Sequence, residues 1–291
     1  MLIFLTRLLY LPLFLLLGNG LAITIVSSGW PRVWLAVLVV AFVAIAFMAE
    51  HLLPYDAAFN QPQNDRSRDF IHGLVNEGSS VVGLVLLPSV AGAVPNAGLW
   101  PAGWPLWQQT ILAVLLADIG ITLVHYASHR VGALWRLHAV HHSVRRMYGL
   151  NGLMKHPLHQ FLETLGGVAP LLLLGVPHQI LQLLVVAVAL QLLLQHSNVA
   201  YFTGPLKYVF AVNVVHRFHH LNSAKEGDVN FGLFTSLTDR LLGTAFYDAD
   251  RRIGRGDLGI EGEINYPTGY LDQLIQPFRG AAKEPQLQDA G

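Results

Sequence analysis

The chain has 291 residues, of which 53% are hydrophobic and only 12% charged, with 18 Lys and Arg against 18 Asp and Glu. The absence of cysteine excludes thiolate haem ligation, cysteine-held iron–sulfur clusters and disulfides, so any metal must be held by nitrogen and oxygen. The neutral balance removes nucleic acid as a partner, and a mean hydropathy of +0.46 leaves no soluble domain of useful size.

In chain order, six apolar segments at roughly 8–27, 33–53, 74–94, 108–127, 158–174 and 179–196 approach the length that a bilayer core demands. The first carries Pro12 and Gly18 and lacks a small-residue cleavage site, so it reads as a span rather than a secretory leader. The last two are short, which calls for little tilt, local thinning of the bilayer or partial penetration. The chain is therefore expected to be all-α, a polytopic membrane bundle of about four to six spans. It divides into N-terminal spans over 1–107, a middle region over 108–247 that carries most of the histidines and a cytoplasmic tail over 248–291.

Loop charge orients the bundle. Arg66 and Arg68 lie in 61–70, and Arg130, Arg136, Arg145, Arg146 and Lys155 lie in 130–157. Arg251, Arg252 and Arg255 lie in the tail, whereas 95–107 and 175–178 hold no Lys or Arg and 28–32 holds only Arg32. By the positive-inside rule the basic segments are cytoplasmic, and an even number of spans with both termini inside fits every loop.

Histidine carries the chemical signal. His125 and His129 form HxxxH, and His138-Ala139-Val140-His141-His142 and His216-Arg217-Phe218-His219-His220 repeat HxxHH seventy-eight residues apart. On a helix, positions i, i+3 and i+4 share a face, so each box can chelate, and imidazole is the commonest protein ligand for Zn, Cu, Fe and Ni. Ordinary helix-end histidines, or an adventitious metal-binding tract, would rarely fall into three such boxes. The loop topology also brings these boxes, His156 and His196 to one membrane face, where an imidazole can join a cluster at the rim while a substrate stays in lipid. His178 falls on the opposite face, and His51 and His72, with no box around them, read as hydrogen-bonded interfacial residues.

The order HxxxH, HxxHHS, a distant His-Ser-Asn and HRxHH leads into Asp228-Val229-Asn230-Phe231-Gly232 and Thr238-Asp239-Arg240-Leu241-Leu242-Gly243-Thr244. From about Asp118 to Thr244 this resembles the fatty acid hydroxylase superfamily, which includes sterol desaturases, methylsterol oxidases, fatty acid 2-hydroxylases and alkylglycerol monooxygenases. The resemblance implies a non-haem centre of two Fe ions that uses O2 and two electrons to hydroxylate or desaturate a lipid C–H bond. Zn2+ would suit the same imidazoles as an occupant. The implied ligands are His125, His129, His138, His141, His142, His196, His216, His219 and His220. His196 enters because Gln195-His196-Ser197-Asn198 with Gly204-Pro205-Leu206 resembles the family's single-histidine element. His156, in His156-Pro157-Leu158, resembles a frequent family motif in which ligation and a positioning role compete evenly, and His159 is left out. Thr238 and Phe231 stand where the family usually has Trp and Tyr; neither supplies a ligand, so these departures bear on pocket shape.

Metal-bound imidazoles normally donate their second N–H to a carboxylate or carbonyl, and Asp118, Asp228 and Asp239 are placed for that. Asp118 is the strongest of the three, because an acid inside a span needs a partner, with a helix-packing hydrogen bond as its bland alternative. Leu153, Leu158, Phe161 and Leu165 share a helical period with His156 and would wall a lipid pocket, although plain helix packing explains them almost as well.

Other readings fit less. A membrane zinc hydrolase needs three protein ligands and an open position, and the His-Glu-x-x-His pair is absent. A soluble-type acyl desaturase needs ExxH helices, which are missing. The non-enzyme alternative, a membrane metal-binding protein or metal transporter, calls for ionisable residues across the midplane of several spans, and few are present. The expectation is thus an integral multi-pass lipid oxygenase, in a bacterial inner membrane or the endoplasmic reticulum of a eukaryote, whose cytoplasmic helical cap carries a histidine-rich di-metal site. Electrons would come from a separate donor protein, since the chain shows no cysteine cluster and no GxGxxG turn.

Overall fold

A computed structural model describes residues 1–93, 95–263 and 265–279. Among them there is no strand, only isolated bridges such as Pro54 with Val199. The first pass comprises α1 (Leu2–Pro12), a π-helical segment (Leu13–Gly18) and α2 (Asn19–Ser27). It is followed by α3 (Val33–Leu52), α4 (Arg66–Ala93), α5 (Leu106–Ser128), α6 (Gly132–His142), α7 (Pro157–Leu174) and α8 (His178–Gln195). Short helices α9 (Asn213–His219), α10 (Leu237–Leu242) and α11 (Tyr270–Ile275) complete the chain. Of the tail 248–291, Ile264 and 280–291 lie outside the described residues.

Helix α8 is the hub. Most of its residues are buried, including Ile180, Leu184, Leu190 and Leu194, and α2, α3 and α5 pack around it. A helix apolar on every side is stable only when enclosed, and α8 is enclosed. By contrast α3 exposes Val33, Trp34, Val37, Val40 and Met48, an apolar surface suited to lipid. In the first pass, Pro12 removes a backbone donor and the π segment follows directly, the local remedy for a broken hydrogen-bond ladder. Gly18, at its end, lies so close to α8 and α3 that a β-carbon there would fall 2.7 Å from Leu190 Cδ1 and 3.0 Å from Phe42 Cζ.

Among the described residues, the long helices run between two ends of the bundle. At one end the Arg7 carbonyl accepts from Phe202 N–H and the Leu53 carbonyl from Ala200 N–H, both at 2.9 Å. His72 of α4 reaches the Lys155 carbonyl at the same end. At the other, Ala97 and Trp100 donate to the carbonyls of Leu173 and Leu174 at 2.8 and 2.9 Å, joining the start of α5 to the end of α7. Four passes, Ile3–Ser27, Val33–Leu52, Leu106–Ser128 and His178–Gln195, are long and apolar enough to cross a membrane. The other two are more polar in their first turns, α4 through Arg66, Arg68, Asp69 and His72, and α7 through His159, Gln160 and Glu163. The expected segment 74–94 falls in α4, and Val94 lies outside the described residues.

Helix α7 packs chiefly on α5, because glycine allows the two backbones to touch. A β-carbon on Gly120 would overlap the Gly166 carbonyl, and one on Gly167 would lie 2.9 Å from Ile121 Cγ1. The inward face of α7 is therefore His159, Glu163, Gly167 and Leu171, spaced by four. The wall expected of Leu158, Phe161 and Leu165 is overturned: they are 49%, 61% and 50% exposed, because the glycine contact turns their face outward.

Replacing Gly120 with Ala is expected to lower stability by about 1–3 kcal/mol through overpacking. Gly20→Ala, at an exposed helical site with nothing within 4 Å, should leave stability unchanged or slightly raised. Thermal unfolding in detergent of both variants checks the contrast.

Candidate metal centre

The helices put nine imidazoles at one end of the bundle. His125 lies in the last turn of α5 and His129 caps it; His138, His141 and His142 form the last turn of α6. His196 caps α8, and α9 supplies His216 and His219 with His220 at its cap. Their nitrogens converge as two groups, His125, His129, His138, His142 and His219 in one and His141, His196, His216 and His220 in the other, each within 4.8 Å. All nine are buried.

Each HxxHH box is divided between the two groups. In the first box the i, i+4 pair His138 and His142 joins the five-imidazole group while His141 turns to the other. In the second box the assignment is reversed: His216 and His220 join the four-imidazole group and His219 crosses back. Sequence spacing suggested that each box chelates by itself; the structure makes each box a bridge between two sites.

The donor geometry fits cations. In the larger group Nε2 of His138 lies 2.9 Å from that of His125, and Nε2 of His142 lies 3.0, 3.0 and 3.2 Å from those of His138, His219 and His129. In the smaller group the Nε2 atoms of His141, His216 and His220 stand 3.1–3.3 Å from a neighbouring Nε2. Nitrogens held about 2.1 Å from one cation at tetrahedral or octahedral angles are themselves roughly 3.0–3.4 Å apart. Tautomers sharpen the test. Carbonyls can only accept, so Nδ1 must be the protonated nitrogen in His125 (to Phe231, 2.8 Å), His141 (to Met154, 2.9 Å), His196 (to Leu192, 3.2 Å) and His219 (to Val229, 2.8 Å). His141 and His196 then face each other Nε2 to Nε2 at 3.3 Å with a lone pair on each. A shared cation resolves that repulsion.

Neutral imidazole is the form that ligates, and the surroundings favour it. Burial first, then the neighbouring imidazoles, hold His138, His141, His142, His216 and His220 well below the ordinary histidine range. Burial and then the Lys155 charge push His196 down to about 3, and burial brings His219 down to about 4.

Two of the four carbonyl partners come from one loop, 229–235. Asn230 adopts a left-handed backbone (φ 56°), which Asn tolerates better than most residues. Its side chain is fixed by the Val215 and Phe246 carbonyls and by Phe246 N–H. The flanking carbonyls of Val229 and Phe231 thereby reach His219 and His125, both of the larger group. Asp118 and Asp239 act one link further out than expected, because neither touches an imidazole. Asp118 accepts from the N–H groups of Leu233, Phe234 and Thr235 and from the Thr235 hydroxyl. Asp239 accepts from Phe231 and Gly232 N–H and from Thr244 Oγ1. Asp228 pairs with Arg130 and stands 3.9 Å from His129 Nδ1, beyond hydrogen-bond range.

His156 joins neither group. Its Nδ1 accepts Leu158 N–H, capping α7, and its Nε2 donates to the Leu274 carbonyl. His159, left out of the expected ligands, is buried beside the site with its ring 4.4 Å from that of His138 and its Nε2 2.9 Å from Ser128 Oγ. His178 opens α8 at the end opposite His196, bonded to Gln182. His72 is buried between the Lys155 carbonyl and Gln273, and His51 faces the Phe47 carbonyl at an exposed site.

Two groups that motif spacing did not single out also line the site. Lys155 and Glu163 form a buried ion pair. Both border a void of ≈ 10 Å³, room for about one water, which lies between the groups and is also lined by His125, His138, His141, His196 and His216. Its apolar side is Ile121, Leu192, Phe231 and Leu233. Lys155 stands out in sequence only as the residue before His156, and nothing in its spacing points inward.

The family profile described as fatty acid hydroxylase matches residues 110–244, which contain all nine converging histidines. Over 254 residues the chain is 32% identical to ornithine lipid hydroxylase OlsE of Rhizobium tropici, covering 84% of this chain and 76% of that protein. Over 157 residues it is 29% identical to alkylglycerol monooxygenase of Danio rerio, covering 53% of this chain and 33% of that protein. No solved structure matches it.

With one ion per group, purified protein should hold about two metal equivalents. His219→Ala (larger group) and His141→Ala (smaller group) should each lower the content toward one, because each variant weakens one site while the other keeps all of its donors. His178→Ala should leave it unchanged. Elemental analysis of the three variants provides the check.

Proposed function

Because the chain belongs to the fatty acid hydroxylase family, we propose that it is a di-iron lipid hydroxylase of the membrane, inserting one oxygen atom of O2 into a lipid C–H bond. The balance is R–H + O2 + two electrons + two protons to R–OH + water, with the electrons delivered by a separate donor protein. The observation that carries this reading is the pair of all-imidazole groups, joined by a common void, at one end of a bundle whose flanks are apolar. Iron suits imidazole donors, and two ions sharing an open space can supply the O2 reduction that an unactivated C–H bond requires.

The chain's own residues do the rest. His125, His129, His138, His142 and His219 would hold one ion, and His141, His196, His216 and His220 the other. The carbonyls of Phe231, Val229, Met154 and Leu192 fix four of the rings, which is the usual way a ligand's tautomer and direction are set. Ile121, Leu192 and Leu233 give the void an apolar side that keeps further water out. The end of α5 that carries His125 and His129 runs into the basic segment 130–157, so on this reading the centre faces the cytoplasm by the positive-inside rule. Reporter fusions in 95–107 and at Gly175 would then report the outer side.

Hydroxylation is favoured over desaturation because both relatives are named as oxygen-inserting enzymes. The relative aligned over most of the chain makes an ornithine lipid the first substrate to assay. Cells expressing the protein with that lipid should accumulate a product heavier by one oxygen atom, labelled when heavy-isotope O2 is supplied. His141→Ala should abolish it, and Gly20→Ala should not. Unlabelled product, or an unsaturated one, would replace this reading with another chemistry.

A further inference from the structure

The ligand set has a charge problem. All nine converging donors are neutral imidazoles, and the nearby carboxylates are committed elsewhere: Asp118 and Asp239 to backbone N–H groups, Asp228 to Arg130 and Glu163 to Lys155. Two divalent cations there would bring four positive charges into a buried place with no anionic protein ligand. The nearest ion pair, Lys155 with Glu163, is neutral overall but turns a third cation toward the same void, which both residues line. Burying such a pair costs several kcal/mol per ion unless further interactions repay it. A small anion in the void would satisfy all three cations, and a void of ≈ 10 Å³ suits an anion the size of hydroxide.

We propose that the void between the two imidazole groups is a small-anion site in which the Lys155 ammonium is a hydrogen-bond donor, with Glu163 as the positioning residue that aims it. Lys155 is well restrained for this. Its carbonyl accepts from His72 Nδ1 and Asn76 Nδ2, both at 3.0 Å, and its side chain is held by Glu163 from the inward face of α7. Behind Glu163, His159 Nδ1 stands 3.8 Å from the same carboxylate oxygen that holds Lys155. The inference rests on the reading that both groups hold metal, and the test separates the two.

The test uses full-length protein in detergent, loaded with iron and first shown to hold about two equivalents; failure at that stage would count against the di-metal reading itself. Fluoride, close to hydroxide in size, is then titrated while the iron absorption is followed. Lys155→Met/Glu163→Gln removes both charges together and leaves no orphaned ion. It is expected to keep both metal equivalents and bind fluoride about tenfold or more weakly, the cost of losing a charge-assisted donor. Glu163→Gln alone should weaken fluoride by a smaller factor, and Lys225→Met, at an exposed site, should not change it. Wild-type fluoride affinity in the double variant would overturn the proposal. Loss of iron from the double variant would also overturn it, by assigning the pair to holding the ligands instead.

Discussion

Nine neutral imidazoles pointing their lone pairs at two places form the constraint on which the rest of this structure depends. Alone, such an array is repulsive: His141 and His196 confront each other acceptor to acceptor, and four rings, those of His125, His141, His196 and His219, are fixed by carbonyls with Nδ1 as the donor. A protein keeps that arrangement only if the surrounding fold over-determines it and a cation repays it. Both conditions leave traces. The fold fixes rings through backbone carbonyls, and the nitrogen separations are those of ligands around a common ion.

The over-determination reaches far from the metals. Loop 229–235 offers carbonyls to His125 and His219, and the same loop is clamped from below by Asp118 in α5, from the side by Asp239 in α10, and from α8 by Gln191 and Gln195, whose amides donate to its Gly232 and Leu233 carbonyls. His196 is held comparably. After it, the Ser197 carbonyl accepts from Asn213 and Arg217 and Asn198 is tied to Glu50 and to the Asp56–Asn60 turn, while Gly152 leaves the space its ring needs, since a β-carbon there would lie 2.8 Å from His196 Nδ1. Acids placed inside apolar helices thus pay for loop geometry rather than for direct metal contact.

Much of this was legible in the sequence, for identifiable reasons. Apolar length gave the bundle, because bilayer thickness fixes how many residues a pass needs. The nine histidines that converge could be named because the boxes repeat and because the His196 element resembles the family's single-histidine element. The division of each box between two sites was not legible. Spacing of three and four says only that rings share a helical face; which ring turns to which ion is set by the facing helices α5, α8 and α9. The face of α7 was misjudged for the same reason, since its apolar side and its inward side differ, and the Gly120–Gly166 contact decides between them. His156 looked like a ligand by motif but serves as the cap of α7, a role that the following proline already favours.

The two HxxHH boxes have a further consequence for coupling between the sites. Because α6 and α9 each supply imidazoles to both groups, neither helix can shift without disturbing both groups, and with an ion in each group neither could be lost without loosening both helices. The short α9, of 7 residues, has little intrinsic helical stability. Its order must come from tertiary contacts and ligation, including the buried Arg217, which donates to the Ser197 carbonyl and stacks on Tyr55. On the di-metal reading, site assembly and folding of the cap would be one process, in which the membrane helices α5 and α8 supply fixed anchors and bound metal would supply the closing bonds.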